Sequence, residues 1–271
     1  MERKEIEVLD HGFIRVVDWM GDDNRIVDAA RVSYGVGTKP VRQNAALIKY
    51  LMRHGHTSPF EQCELQLHLK MPLFVARQWL RHRTANVNEY SARYSILEDQ
   101  FYIPDAAHIA QQATSNNQGR SEEAAPADLA SFVQTHFLHT SKQAYSAYEA
   151  MLQRGVAREI ARMVLPVNIY TQFYWKIDLH NLLHFLKVRA DDHAQYEIRA
   201  YASKMLELVR EWVPMTYAAF MEYSMHGKQL SQSAYQALQG ATEKPPVRTD
   251  WDMSQREWQE MVEPLLHKNS S

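Results

Sequence analysis

The stretch Cys63-Glu64-Leu65-Gln66-Leu67-His68-Leu69-Lys70-Met71-Pro72 alternates without a break. Cys63, Leu65, Leu67, Leu69 and Met71 fall on one face, and Glu64, Gln66, His68 and Lys70 on the other. A period of two over residues 61–71 is the pattern of a half-buried strand. Pro72 then opens a helix that carries Phe74, Val75, Trp79 and Leu80, since proline suits the first helical position.

Working outward, residues 6–18 read as a hairpin, with Asp10-His11-Gly12 as its turn. Asp22 or Asp23 can cap a helix through Ile26, Val27 and Ala30, and Ser33 to Pro40 reads as a loop. A helix with Ala45, Leu47, Ile48 and Leu51 follows, and Gly55 is its stop. Leu129, Phe132, Val133, Phe137, Tyr145, Tyr148 and Leu152 recur at helical spacing up to Gly155. A shorter helix, Val156 to Val164, ends before Pro166. Val167, Ile169, Thr171, Phe173, Trp175 and Ile177 alternate as a second long strand. Asp178 can cap a helix through Leu182, Leu183 and Leu186. Helical patterning continues from Asp192 to Trp212 and from Pro214 to Tyr223.

Few strands, many helices and no strand–helix–strand alternation indicate the α+β (mixed α/β) class. The expectation is a single domain over residues 1–228, with a small, mostly antiparallel sheet flanked by several long helices. A polar surface insertion lies near 106–126, and residues 229–271 form a polar, weakly patterned tail. The chain has 271 residues, of which 45% are hydrophobic and 23% charged, which excludes wholesale disorder. Mean hydropathy is −0.47. No apolar run approaches the roughly 18 residues of a membrane span. The N-terminus lacks an apolar signal core, so the expected setting is cytoplasmic, with no membrane partner. A formal charge of −2 speaks against general nucleic-acid binding. The single cysteine, Cys63, excludes a disulfide framework and multi-cysteine metal sites.

The densest polar run is Arg77 to Tyr94. Arg77, Arg81, Arg83 and Arg93, with His82, meet only one acid, Glu89. Guanidinium groups suit bidentate contact with phosphate or carboxylate. Gln78 and Arg81 share a helix face, and Glu89, Ser91 and Arg93 share a face if extended. Such a run can wrap a small phosphorylated ligand. The plainer reading is a solvated basic helix end, against which stand the neutral hydrogen-bonding side chains in the run. Ser91 lacks the Gly-x-Ser-x-Gly setting of an acyl-transfer nucleophile. His180 and His184 are one turn apart, but no Glu follows His180, so no metal site is expected. Arg189, Asp191 and Asp192 read either as charge compensation at a helix junction or as site residues. Cys63 reads as a core residue, because a reactive thiolate needs an electropositive, partly exposed setting. Neither Gly-x-Gly-x-x-Gly nor a Walker motif occurs. Two other classes stay in view: a metal-dependent nucleotide phosphohydrolase, and a phosphate-binding module without catalysis.

Arg81-His82-Arg83, followed by seven residues and Ser91, resembles the signature of the flavin-dependent thymidylate synthases. Further matches are Ala30 to Ser33, His54-Gly55-His56, Ser58 to Glu61, Phe74 to Trp79, Asn88 to Tyr94, Arg158 to Arg162, Leu165-Pro166 and Arg189 to Gln195. The resemblance implies a homotetramer with sites shared between subunits. It implies methylation of dUMP to dTMP, with 5,10-methylenetetrahydrofolate as carbon donor and NADPH as reductant through FAD. It places dUMP against Gln78, Trp79, Leu80, Arg81, Glu89, Tyr90, Ser91, Ala92, Arg93, Arg162 and Arg189. It places FAD against Ser58, Arg81, His82, Arg83, Glu89, Asp178, Leu179, His180 and His184. Arg189 takes the catalytic position, stabilising negative charge on the uracil ring in place of an enzyme nucleophile.

Overall fold

The computed structural model describes residues 2–32, 44–114, 119–229, 231–232 and 254–262. The expected loop at Ser33–Pro40, most of the tail and four residues of the insertion lie outside them. Two compact units divide the chain, Met1–Met225 and His226–Ser271.

Strands β1 (Glu5–Val8), β2 (Gly12–Met20), β3 (Glu64–Pro72), β4 (Asn86–Glu89) and β7 (Tyr170–Asp178) make one sheet in the order β1-β2-β3-β7-β4. Every pairing in it is antiparallel, so the mixed class and the antiparallel sheet stand as expected. The decisive stretch is β3 at the centre, in register with β7 from Glu64↔Asp178 to Pro72↔Tyr170. Leu65, Leu67 and Leu69 of β3 and Phe173, Trp175 and Ile177 of β7 are buried with Cys63 in one core. Gly12 has a steric reason: a Cβ there would come within 1.9 Å of the Tyr201 hydroxyl and 2.8 Å of the Lys70 carbonyl.

Helices α1 (Asp23–Arg31), α2 (Asn44–Arg53), α3 (Leu73–Trp79), α4 (Ala127–Gln153), α5 (Arg158–Ala161), α6 (Leu179–Arg189), α7 (Tyr196–Trp212) and α8 (Pro214–Phe220) complete the unit. Asp22 caps α1 by accepting from the backbone N–H of Asn24 and Arg25, and Asp178 caps α6 through Asn181. Gly55, past the end of α2, has φ +66°, the left-handed conformation that stops a helix. Among the described residues no helix is long and apolar enough to cross a membrane.

Four expectations change. β7 begins at Tyr170, because Pro166 to Ile169 form a turn closed by Ile169 N–H to the Pro166 carbonyl at 3.2 Å. α7 begins at Tyr196 rather than Asp192. The short helix after Gly155 is one α-turn, α5, followed by a 3-10 turn at Arg162–Val164. The apolar stripe of α4 is not all core: Ala130, Ser141 and Tyr148 are buried, whereas Phe132 is 58% exposed. The insertion carries a 3-10 turn, Ala106–His108, and a two-stranded hairpin, β5 (Ala110–Gln112) with β6 (Arg120–Ala124). In the second unit, Ser254 and Glu257 form a capping box on α9 (Gln255–Met261).

Candidate active site

β3 runs directly into α3, so the C-terminal end of α3 delivers Gln78 and, just past its last residue, Arg81 and His82. α6 starts where β7 stops and delivers Arg189 at its own C-terminal end. The two ends meet. Arg189 Nε donates to His82 Nε2 at 3.0 Å, and its Nη2 donates to the Gln78 carbonyl at 3.2 Å. His82 can accept that bond only as a neutral ring. Burial, then the Arg189 charge, then His184 push its pKa down to about 4. The His184 ring lies 5.9 Å away, edge-on. Burial, then the neighbouring charge of Arg81, lower the pKa of Arg189. Arginine nevertheless stays protonated at any pH a protein meets.

The sign of the His82 effect is fixed by these causes. Its folded pKa lies below the ordinary 6.5, so the stability from the neutral ring is present above that value. It is lost as pH falls toward the folded pKa. NMR titration is expected to show no protonation of His82 between pH 8 and about pH 5.5. A titration midpoint at the ordinary histidine value would contradict the Arg189–His82 bond.

A second group forms beyond β4. Glu89 ends that strand, and its Oε1 accepts from Thr171 Oγ1 at 2.7 Å. Tyr90 N–H reaches the Gln172 carbonyl at 2.8 Å. The expected extended face of Glu89, Ser91 and Arg93 does not form. Residues 92–94 turn instead, with Tyr94 and Ser95 N–H both bonded to the Ser91 carbonyl. The Ser91 hydroxyl oxygen accepts from Arg93 N–H at 3.3 Å, which leaves its proton to donate. Arg93 pairs with Glu159 at 3.2 Å, and Arg158 Nη1 donates to the Tyr94 carbonyl at 2.8 Å. The turn after α5 therefore lies beside this segment, with Arg162 exposed on it.

The remaining expected residues differ in how far they are exposed. Ser58 is exposed and lines a cavity of about 730 Å³ with Arg25, Tyr50, His56 and Gln62. Asp178 is spent on capping α6, and Leu179 is fully buried. Trp79 is also fully buried, and Ala92 is nearly so, so neither side chain is open to a ligand. Leu80 and His180 are half-buried, and Tyr90 is exposed. Arg81, Arg83 and Arg162 make no ion pair with a described residue. Among the described residues no cluster of three or more His, Cys, Asp or Glu could hold a metal ion. Thr171, Glu159 and Gln195 have no site role in the sequence analysis; Glu159 and Gln195 carry a signal in their places within the Arg158 to Arg162 and Arg189 to Gln195 motifs, and Thr171 carries none.

Residues 15–215 match the family described as thymidylate synthase complementing protein. A flavin-dependent thymidylate synthase of Ehrlichia ruminantium (strain Gardel) is 54% identical over 266 residues, covering 98% of this chain and 89% of that one. That of Ruegeria pomeroyi is 56% identical over 258 residues, covering 93% and 85%. The chain belongs to the flavin-dependent thymidylate synthase family. A solved UMP/dUMP methylase, PolB from Streptomyces cacaoi bound with 5-Br dUMP, superposes with TM-score 0.73 at 32% identity. It covers 82% of this chain, and the match takes in 100% of its own. Thymidylate synthesis with a flavin is the activity of the family, and the chain is an enzyme of that class.

Cys63 is fully buried, and its Sγ lies 3.6 Å from the Asp22 carbonyl oxygen. Burial, then Asp22 and Asp23, push the thiol up to about 12. It is not a thiolate at neutral pH, and no substrate carbon can reach it.

Proposed function

We propose that this chain converts dUMP to dTMP in the cytoplasm, with 5,10-methylenetetrahydrofolate as carbon donor and NADPH as reductant through FAD. The observation that carries this is Arg189, held by His82 and the Gln78 carbonyl beside the charge of Arg81, with Arg81, Arg83 and Arg162 exposed and without a carboxylate partner among the described residues. Uncompensated positive charge of this kind suits a nucleotide monophosphate and a dinucleotide pyrophosphate.

The donor set fits FAD. Arg81 and Arg83 suit its pyrophosphate, and His82, His184 and Glu89 supply polar contacts; Ser58 lines a separate cavity, which joins them only where subunits share a site. At the start of α6, Asp178 caps the helix and buried Leu179 donates its N–H to the Cys63 carbonyl at 2.8 Å, so half-buried His180 is the group there that can face the cofactor. Bound by these residues, FAD would supply the redox chemistry between NADPH and the new methyl group.

The chain's own residues do the rest. Uracil C5 is a poor nucleophile until the ring gains negative charge. Arg189 stabilises that charge by electrostatic preorganisation. Its pKa rules it out as a base. His82 fixes the guanidinium from behind and adds no charge of its own. Gln78, Arg81 and Ser91 orient the nucleotide, with Leu80, Tyr90 and Ala92 beside them and the buried Trp79 holding the end of α3 in place. Arg93 and Arg162 hold its phosphate.

The working form is a homotetramer with shared sites. Tyr94 is 74% exposed and Met163 72%, and both adjoin site residues. A second copy over that surface removes the apolar groups from water. It also brings Arg162 to another subunit's Arg189.

The test is the stoichiometry. The yellow holoenzyme is expected to oxidise NADPH faster with dUMP present and to yield dTMP with tetrahydrofolate. NADPH oxidation indifferent to dUMP, or dihydrofolate as the product, contradicts the proposal.

A further inference from the structure

Gln195 stands at the N-cap of α7, yet its side chain caps nothing. Asn, Asp, Ser and Thr are the usual capping residues, because a short oxygen-bearing side chain reaches the free N–H groups of the first turn. Here the Gln195 side chain goes elsewhere: its Oε1 accepts from Gln78 Nε2 at 2.5 Å. That ties down one end of the Gln78 amide and leaves its Oε1 as the group available to a ligand donor. A local rule broken without local gain marks a position whose benefit is elsewhere.

The chain after Gln195 is held from two sides. The ring of Tyr196 stacks on the His108 imidazole, with centroids 3.5 Å apart and planes at 22°. Arg120 Cζ lies 5.2 Å from the same ring, and Arg120 Nη1 donates to the His108 carbonyl at 2.6 Å. Glu197 is buried, and its Oε1 accepts from the Tyr102 hydroxyl at 3.2 Å. His108 and Arg120 both belong to the polar insertion, which the family motifs do not cover.

We propose that Gln195 is a positioning residue for the nucleotide site. It holds the Gln78 amide in its binding orientation, and His108 and Arg120 of the insertion anchor it through Tyr196. The inference rests on the reading that Gln78 contacts dUMP, and the experiment separates the two.

The experiment measures the Kd for dUMP on the flavin-loaded protein by calorimetry, with flavin absorbance and thermal unfolding as checks on the fold. Gln195→Leu is expected to weaken dUMP about tenfold, the effect of one lost orienting hydrogen bond. Gln195→Glu keeps an acceptor at the same reach and is expected to bind within about threefold of the parent. His108→Ala combined with Arg120→Ala weakens dUMP in the same direction by a smaller factor. It carries the test should Gln195→Leu fail to fold. Gln78→Leu with Gln195→Leu binds no worse than Gln78→Leu alone, because the two act as one unit. A merely structural role would lower the unfolding temperature and leave the Kd unmoved. Parent-like binding by folded Gln195→Leu, or by the His108/Arg120 pair, overturns the proposal, as does an additive double variant. Parent-like binding by Gln78→Leu removes the reading beneath it and the inference with it.

Discussion

Arg189→Ala is expected to cut dTMP formation by about 10²–10³-fold, the usual effect of losing one preorganised donor, on the proposed reading that this guanidinium meets the charge developing on the uracil. The fold survives, because the guanidinium is half-buried and spends its bonds on the site itself: His82 Nε2 and the Gln78 carbonyl. Arg189→Lys does not restore the rate, since an ammonium cannot hold both acceptors in one plane. The variant carries a second signature. The Arg189 charge is among the causes that push His82 down to about 4, so in Arg189→Ala the imidazole titrates closer to its ordinary value. Steady-state turnover and histidine NMR read the two effects separately. Parent-like turnover in a folded, flavin-loaded variant sinks the assignment.

The second large effect is on stability. Trp79 is fully buried, with Phe185 at 4.4 Å, Trp175 at 5.2 Å, Tyr201 at 6.2 Å and Phe173 at 6.4 Å between ring centroids. Trp79→Ala removes the ring on which α3, α6, α7 and β7 converge and is expected to cost about 3–5 kcal/mol. A domain's whole stability is about 5–15 kcal/mol, so the denaturant midpoint falls steeply. Trp79→Phe keeps an aromatic ring in the cluster and is expected to cost less than Trp79→Ala, because less volume is removed and the indole Nε1 has no hydrogen-bond partner to lose. A small loss in Trp79→Ala would mean that the site is not mounted on this aromatic core.

The residues that were easy to read are those whose structure depends on near neighbours. The Cys63–Met71 alternation gives the central strand and its buried face. Asp22, Asp178 and Gly55 mark helix ends by chemistry that acts over three or four residues. β4 was not legible, because Asn86 to Glu89 are all exposed and offer no apolar alternation. Its strand form comes from the β7 backbone beside it. The exposure of Phe132 on α4 was hidden for the converse reason: helical spacing shows that residues share a face, not that anything covers it.

The same division runs through the site. The arginine-rich run between Arg77 and Arg93 was visible as composition, and the family motifs assigned roles to its members. The neutral state of His82 was not visible, since it follows from burial and from Arg189 at the end of a distant helix. Nor was the commitment of Gln195 to Gln78, which needs α3 and α7 to be placed first.

In the proposed reaction, fixed positive charge and not an enzyme thiol makes the pyrimidine reactive. dTMP formation by flavin-loaded Cys63→Ala tests it most directly. With the thiol gone, the rate is expected to stay within about threefold of the parent, with only the modest stability loss of a small core truncation. Abolished dTMP formation in a folded, flavin-loaded Cys63→Ala protein would contradict the account.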